Sequence, residues 1–177
     1  LRCVELAADS GLASGLVEAA PIVGSSACVV HFANGLVGEP LAPFVDQLQD
    51  DSSDVVLLVH QGATGKERLS EASRRLLHVA ELDPERTALG VTGVCLLGEG
   101  ALARAACARW DSGPEVDLAA VADRVVAGGG LLQSRVVDTW RCYNGEALDL
   151  LELNRIALDD LEPNVDQRLY KGNLIEG

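Results

Sequence analysis

The chain has 177 residues, of which 48% are hydrophobic, so it is long enough for one domain with a sizeable core and too short for two. Its formal net charge is −13 at pH 7, without a basic run, which argues against nucleic acid or an anionic membrane as a partner, because such binding needs Lys and Arg to neutralise phosphates. Aromatic residues make up 3% of the chain and offer no platform on which bases could stack.

The cysteines and histidines show no pattern of a structural site. The five cysteines are odd in number and lack C-x-x-C spacing, so the sequence supports neither a disulfide framework nor a zinc site. The three histidines share no metal-ligand spacing. No apolar run approaches the roughly 18 residues that a membrane-spanning helix needs. We therefore expect a soluble, cytoplasmic protein without a metal site.

The chain alternates between strand and helix patterns. Helices are predicted where apolar residues recur at helical spacing, and strands where short apolar or β-branched runs occur. In chain order the predictions are helix 12–23, strand 27–32, a turn at Asn34-Gly35, helix 40–48, strand 55–60, loop 61–68, strand 76–81, strand 87–97, helices 99–108 and 115–127, strand 131–140 and helix 146–161. We expect strand 87–97 to lie centrally. The alternation predicts a mostly parallel sheet with helices on both faces, and ligands bound beyond the carboxyl ends of its strands.

Motifs in the last third of the chain follow the order of a known family. Residues 112–117 read S-G-P-E-V-D, residues 140–145 read W-R-C-Y-N-G and residues 150–155 read L-L-E-L-N-R. This region resembles the sugar-1-phosphate nucleotidyltransferases of the glucose-1-phosphate thymidylyltransferase type, which have G-E-x-E-I-T, W-x-D-T-G and L-L-E-A-N-R there. Segments 8–16, 29–36 and 88–94 resemble the P-L-G-L-A-x-A, G-D-N and A-L-V-G-V segments of the same family.

The resemblance implies an α/β fold, namely the Rossmann-like nucleotide-diphospho-sugar transferase sheet with helices on both faces. We expect residues 1–163 to form this domain, incomplete at its N-terminus, because the chain begins at Leu1, has no methionine and lacks the family's glycine-rich G-G-x-G-T-R-L loop. Residues 164–177 form a predicted tail. Its apolar and glycine rhythm is typical of the first coil of a left-handed β-helix.

The resemblance also implies candidate substrate-binding residues. Gly11 matches the glycine that approaches the nucleotide base, and the backbone at Gly93 would face the sugar. Asp138 ends the strand that leads to Trp140 and could turn a carboxylate into the crevice, with Glu115 or Asp117 nearby. The alternative is that Asp138 is a charge at the edge of the sheet, and the sequence leaves both interpretations open.

The positions that carry the family's chemistry differ in this chain. The metal-binding aspartate of G-D-N falls on Ala33, and the second one falls on Cys142 or Tyr143, depending on the placement of a gap. The phosphate-pairing lysine of E-K-P falls on Asp83, and two like charges about 4 Å apart repel by on the order of 1–4 kcal/mol. The resemblance therefore implies Mg²⁺ as cofactor if the protein is active, and otherwise none.

Two functions of different classes follow from this pattern. One is a sugar nucleotidyltransferase-like protein, which would convert an NTP and a sugar 1-phosphate into an NDP-sugar and pyrophosphate but is catalytically impaired. The other is a non-catalytic pseudo-enzyme subunit that binds, regulates or scaffolds an active nucleotidyltransferase. Expected partners are a nucleotide or sugar phosphate, and a second copy of the chain or a paralogue. A changed ligand, uncharged or cationic and suited to Asp83, is a third interpretation.

Overall fold

The computed structural model describes residues 3–7, 11–50, 53–61, 89–107 and 116–159, and these ranges contain six strands and five helices. The predicted strand 76–81, nearly all of the predicted loop 61–68 and the tail 164–177 lie outside the described residues. In chain order the elements are α1 (Leu12–Val23), β1 (Cys28–His31), β2 (Gly35–Val37), α2 (Ala42–Asp50), β3 (Val55–Gln61), β4 (Leu89–Leu97), α3 (Ala101–Cys107), α4 (Leu118–Ala127), β5 (Leu132–Val137), β6 (Trp140–Cys142) and α5 (Ala147–Asp159).

Within the described ranges the main sheet has four strands in the order β1-β4-β3-β5. β3 and β5 are parallel, whereas β4 is antiparallel to both β1 and β3. Three strands therefore point the same way, and β4 points the opposite way between two of them. The prediction of a mostly parallel sheet is wrong at β4, because an apolar run fits a buried strand of either direction. The prediction that this strand lies centrally is confirmed.

The predicted strand 131–140 is in fact two strands in two sheets. β5 ends at Val137, and Trp140 begins β6, which among the described strands pairs with β2 alone, in an antiparallel two-stranded sheet. The predicted turn at Asn34-Gly35 also shifts by one residue, because Gly35 already belongs to β2. Both changes concern short strands, whose ends carry little sequence pattern.

Side chains of β3 alternate between two hydrophobic clusters, one on each face of the main sheet. Val55, Leu57 and Val59 lie in one cluster with residues of α1, α3 and α4. Val56 and Leu58 lie in the other, against α2 and the small β2-β6 sheet. All five side chains are buried to within 1% of complete, and each large one contributes about 1.5–3 kcal/mol by leaving water. The expected helices on both faces are therefore present.

A bulge interrupts the pairing of β3 with β4, and one polar side chain compensates for it. The register shifts between Leu57 and Val59. The buried hydroxyl of Thr92 donates a hydrogen bond of 2.9 Å to the carbonyl oxygen of Leu58 at this point. Because an unpaired carbonyl inside the sheet would be costly, this bond allows the irregularity within the core.

Helix α5 packs beside β2 and β6 and leaves a leucine-rich face uncovered. Leu148, Leu151 and Leu158 are 73%, 65% and 62% exposed, and no residue of α5 is buried. An apolar patch of this kind on a surface often marks an interaction site. Among the described residues, none of the helices has the length and apolar content that crossing a bilayer requires.

Candidate functional site

The carboxyl ends of β1, β3 and β5 meet at one edge of the main sheet, which we call the carboxyl edge. Phe32 follows β1, Gln61 ends β3 and Asp138 follows β5 at this edge. The opposite, amino edge contains the end of β4, and there the N–H of Gly100 bonds to the carbonyl of Ser25, just after α1. Helix α1 therefore begins at the carboxyl edge.

Two helices, α1 and α4, begin at this edge. Gly11 is the N-cap residue of α1, in an extended conformation and without a side chain to cap the helix. Helix α4 also runs toward the amino edge, and its N-cap, Asp117, accepts a hydrogen bond of 2.7 Å from the N–H of Ala120. Glu115 lies outside the described residues, two positions before this cap. The substrate-binding roles of Gly11 and Glu115 stay predictions.

The indole of Trp140 packs between the two sheets and leaves no room for a side chain at Gly35 or Gly93. Trp140 is 7% exposed, and a Cβ atom added to Gly35 or Gly93 would lie 1.9 or 2.8 Å from its Cη2 atom. The carbonyl of Gly93 accepts a hydrogen bond of 2.8 Å from the N–H of Phe32, next to the carboxyl edge. Packing against Trp140 therefore requires glycine at position 93. Its predicted contact with a sugar stays a prediction.

The two positions that the family resemblance assigns to metal-binding aspartates lie on adjoining segments of the chain. Gly35 pairs with Cys142 across the small sheet, and the N–H of Tyr143 bonds to the carbonyl of Asn34 at 2.7 Å. The side-chain amide of Asn34 also donates to the sulfur of Cys142 at 3.5 Å. Ala33 immediately precedes Asn34 in the turn. The turn that contains Ala33 therefore lies against the end of β6.

The side chains at this juxtaposition do not fit Mg²⁺. Mg²⁺ prefers hard oxygen ligands, above all carboxylates, at short distances. Ala33 provides a methyl group and Cys142 a thiol, and Tyr143, the alternative position, provides a phenol that is 38% exposed. Within the ranges that the structure describes, no group of three or more His, Cys, Asp or Glu side chains could hold a metal ion.

Asp138 lies in a backbone corner that a glutamate holds in place. The N–H groups of Asp138 and Thr139 donate to Oε1 of Glu39 at 2.6 and 3.0 Å. Asp138 itself is exposed, which is compatible with a ligand-facing carboxylate and with a simple edge charge. Its role in substrate binding stays a prediction. Glu39 turns the chain from β5 into β6 and so sets where Asp138 lies.

Sequence reasoning did not find Glu39. The other oxygen of this carboxylate, Oε2, is buried and has no hydrogen-bond partner among the described residues. The available signal was weak: Glu39 precedes Pro40, and a residue before proline is held in an extended conformation. That signal predicts the backbone shape but not a bond to a strand end 99 positions later.

The carboxyl group of Asp123, in the middle of α4, lies near that of the N-cap Asp117. Partial burial raises the pKa of the Asp123 carboxyl, and the nearby Asp117 raises it further. Asp83, at the position that the resemblance assigns to the phosphate-pairing lysine, lies outside the described residues.

Comparison with known proteins shows a likeness of fold. No family model matches the chain, and no curated protein matches it. A crystal structure of a Bacillus anthracis protein, described as a glucose-1-phosphate thymidylyltransferase in complex with a sucrose, superimposes with a TM-score of 0.66 at 15% sequence identity. The match covers 90% of this chain and 65% of that one, so this chain spans about two thirds of the length of the related structure.

At this level of identity the likeness shows the fold alone. The protein is a mixed α/β protein with a nucleotidyltransferase-like fold, as the sequence motifs predicted.

Proposed function

We propose that this chain is a sugar nucleotidyltransferase-like protein in which catalysis of nucleotidyl transfer is impaired. The likeness to the thymidylyltransferase structure supports the fold. The single observation that carries the proposal is the contact between Cys142 and Asn34, the neighbour of Ala33. The two positions that the resemblance assigns to metal-binding aspartates thus lie on adjoining segments, and neither carries a carboxylate.

The chemistry explains why this loss matters. In the transfer, an oxygen of the sugar phosphate attacks the α-phosphorus of the nucleotide, a P–O bond forms, and pyrophosphate leaves. Charge develops on the transferring and leaving oxygens, and a divalent ion is the usual clamp for it. A methyl group and a thiol cannot hold that ion, so we expect binding of a nucleotide or sugar phosphate without turnover.

The direct test is pyrophosphate release from dTTP or UTP with glucose 1-phosphate and Mg²⁺. We expect no release above a control without protein, together with measurable nucleotide binding by calorimetry. Turnover by the natural sequence would reject the proposal. Failure to bind either the nucleotide or the sugar phosphate would reject the part of the proposal that expects binding without turnover.

A second test restores the missing carboxylates. The double variant Ala33→Asp/Cys142→Asp places two carboxylates at the junction of the turn and β6, so we expect it to bind Mn²⁺, measured by electron paramagnetic resonance, more tightly than the natural chain. The matched control is Ala33→Asn/Cys142→Asn, which has nearly the same size and no charge. Equal Mn²⁺ affinity of the two double variants would show that these positions do not form a metal site.

The exposed leucines of α5 favour the alternative function, a pseudo-enzyme subunit. Leu148, Leu151 and Leu158 form an apolar surface suited to a second copy or to a paralogous nucleotidyltransferase. Light scattering after gel filtration tests the homo-oligomer, with Leu151→Glu expected to dissociate it. A natural chain that is monomeric, and that forms no complex with an active nucleotidyltransferase, would exclude this function.

A further inference from the structure

A cleft at the amino edge of the main sheet has the charge and size of a second ligand site. It lies between the C-terminal end of α2, the start of β3 and the end of β4, and its volume is about 560 Å³. Sites for small molecules usually measure 300–1,000 Å³. The strands of the sheet separate this cleft from the carboxyl edge, so a ligand here is independent of the proposed function.

The cleft is negatively charged. Glu99 and Asp54 line it, and among its described lining residues none carries a positive charge. Asp54 is already neutralised, because it pairs with Arg104 and accepts the N–H of Leu131 at 2.9 Å. Glu99, which is exposed, therefore supplies the net charge. The carbonyl end of helix α2, at Asp50, adds a partial negative charge on the same side.

A buried hydroxyl lies in the wall of the same cleft. Ser53 is 6% exposed and lines the cleft, and its Oγ has no hydrogen-bond partner within the part of the chain that the structure describes. Buried hydroxyl groups in proteins nearly always have partners, so this one is available to a ligand. The amide of Gln49, at the end of α2, lines the cleft as well and can both donate and accept.

We propose that this cleft binds a small molecule that carries a protonated amine and hydroxyl groups. The ammonium group pairs with Glu99, and the hydroxyl groups bond to Ser53 and Gln49. An anionic ligand such as a sugar phosphate is disfavoured, because Glu99 and the end of α2 would repel it.

The test compares two probes that differ in one group. Glucamine carries an ammonium group at neutral pH, and sorbitol has a hydroxyl group in the same place. We expect glucamine to shift the amide resonances of Ser53 and Gly98 in nuclear magnetic resonance spectra of the full chain, and sorbitol to bind at least about tenfold more weakly, since one charge pair is lost. Equal binding of the two probes would overturn the proposal.

Variants locate the site. Glu99→Gln should weaken glucamine binding by about tenfold, because it removes the charge and keeps the size. Since Glu99 is exposed, the fold should be unaffected, and circular dichroism checks this. The matched control, Glu146→Gln, changes an exposed carboxylate at the start of α5 and should leave the affinity unchanged. Undiminished binding by Glu99→Gln, or resonance shifts confined to the carboxyl edge, would contradict the site.

Discussion

The glutamate that holds the corner between β5 and β6 offers the sharpest test of the fold. Glu39→Ala removes one oxygen that accepts two backbone hydrogen bonds, from Asp138 at 2.6 Å and from Thr139 at 3.0 Å. A hydrogen bond to a charged group contributes about 1.5–3 kcal/mol. Because both bonds share one oxygen, and because the exposed Asp138 can bond to water instead, we expect a loss of about 2–3 kcal/mol in the free energy of unfolding.

The assay is urea unfolding followed by circular dichroism, with hydrogen exchange of individual amides as a local readout. The amide of Thr139 should lose protection in Glu39→Ala, while amides of β3 keep theirs relative to the new global stability. Glu39→Gln retains an accepting oxygen and should cost less than the alanine variant. Glu5→Ala, at an exposed glutamate, is the control and should change the unfolding free energy by less than about 0.5 kcal/mol.

Two outcomes would refute the reasoning. If Glu39→Ala unfolds within about 0.5 kcal/mol of the natural chain, the two bonds do not hold the corner. If the free energy of unfolding falls but the Thr139 amide stays protected from exchange, the loss of stability does not come from these two hydrogen bonds.

Gly35→Ala should lower the unfolding free energy by about 1–3 kcal/mol and red-shift tryptophan fluorescence, because its Cβ would lie 1.9 Å from the Trp140 ring. Gly24→Ala is the contrast, because Gly24 has φ at +66° and open space where a Cβ would lie. We expect this variant to lower the unfolding free energy by about 1–2 kcal/mol without shifting tryptophan fluorescence. A red shift of the fluorescence in both variants would contradict the packing argument. Burial, helped by the nearby Cys28, raises the pKa of Cys95 from 9.0 to about 12. The unfolded chain therefore releases this proton first, and the contribution of Cys95 to stability should fall as pH rises from about 9 toward 12. Thiol labelling at pH 9 with mass spectrometry should modify the exposed Cys107 quickly and Cys95 only after unfolding, and equal rates would disprove the burial.

Much of the architecture could be predicted from the sequence, because several elements have a strong periodic pattern. The structure confirms helix α1 at the predicted bounds and extends strand β3 by one residue, Gln61. The long β4 is central, as its β-branched composition indicated. The direction of β4 was not predictable, since it depends on which strands it pairs with and not on its own residues.

The site residues stay predictions, and only the contact between two of their segments can be compared with the structure. The resemblance assigned Ala33, and Cys142 or Tyr143, to the metal-binding positions, and the structure brings the two segments together through Asn34. The corner at Asp138 was not predictable, because it depends on Glu39, a residue far away in sequence. A bond from a side chain to the backbone of a distant segment leaves no local pattern to detect.

The central position of β4 in the sheet also affects how the chain folds while it is being synthesised. On a ribosome, β1 ends at His31 and β3 at Gln61, but the strand that bridges them begins only at Leu89. At a synthesis rate of about 5–20 residues per second, roughly 3–12 s pass between the synthesis of β1 and the start of its neighbour β4. During that interval the apolar faces of both early strands lack the contacts that later bury them. Chaperone capture of the nascent protein should therefore peak before Leu97 leaves the exit tunnel, and decline once that segment emerges.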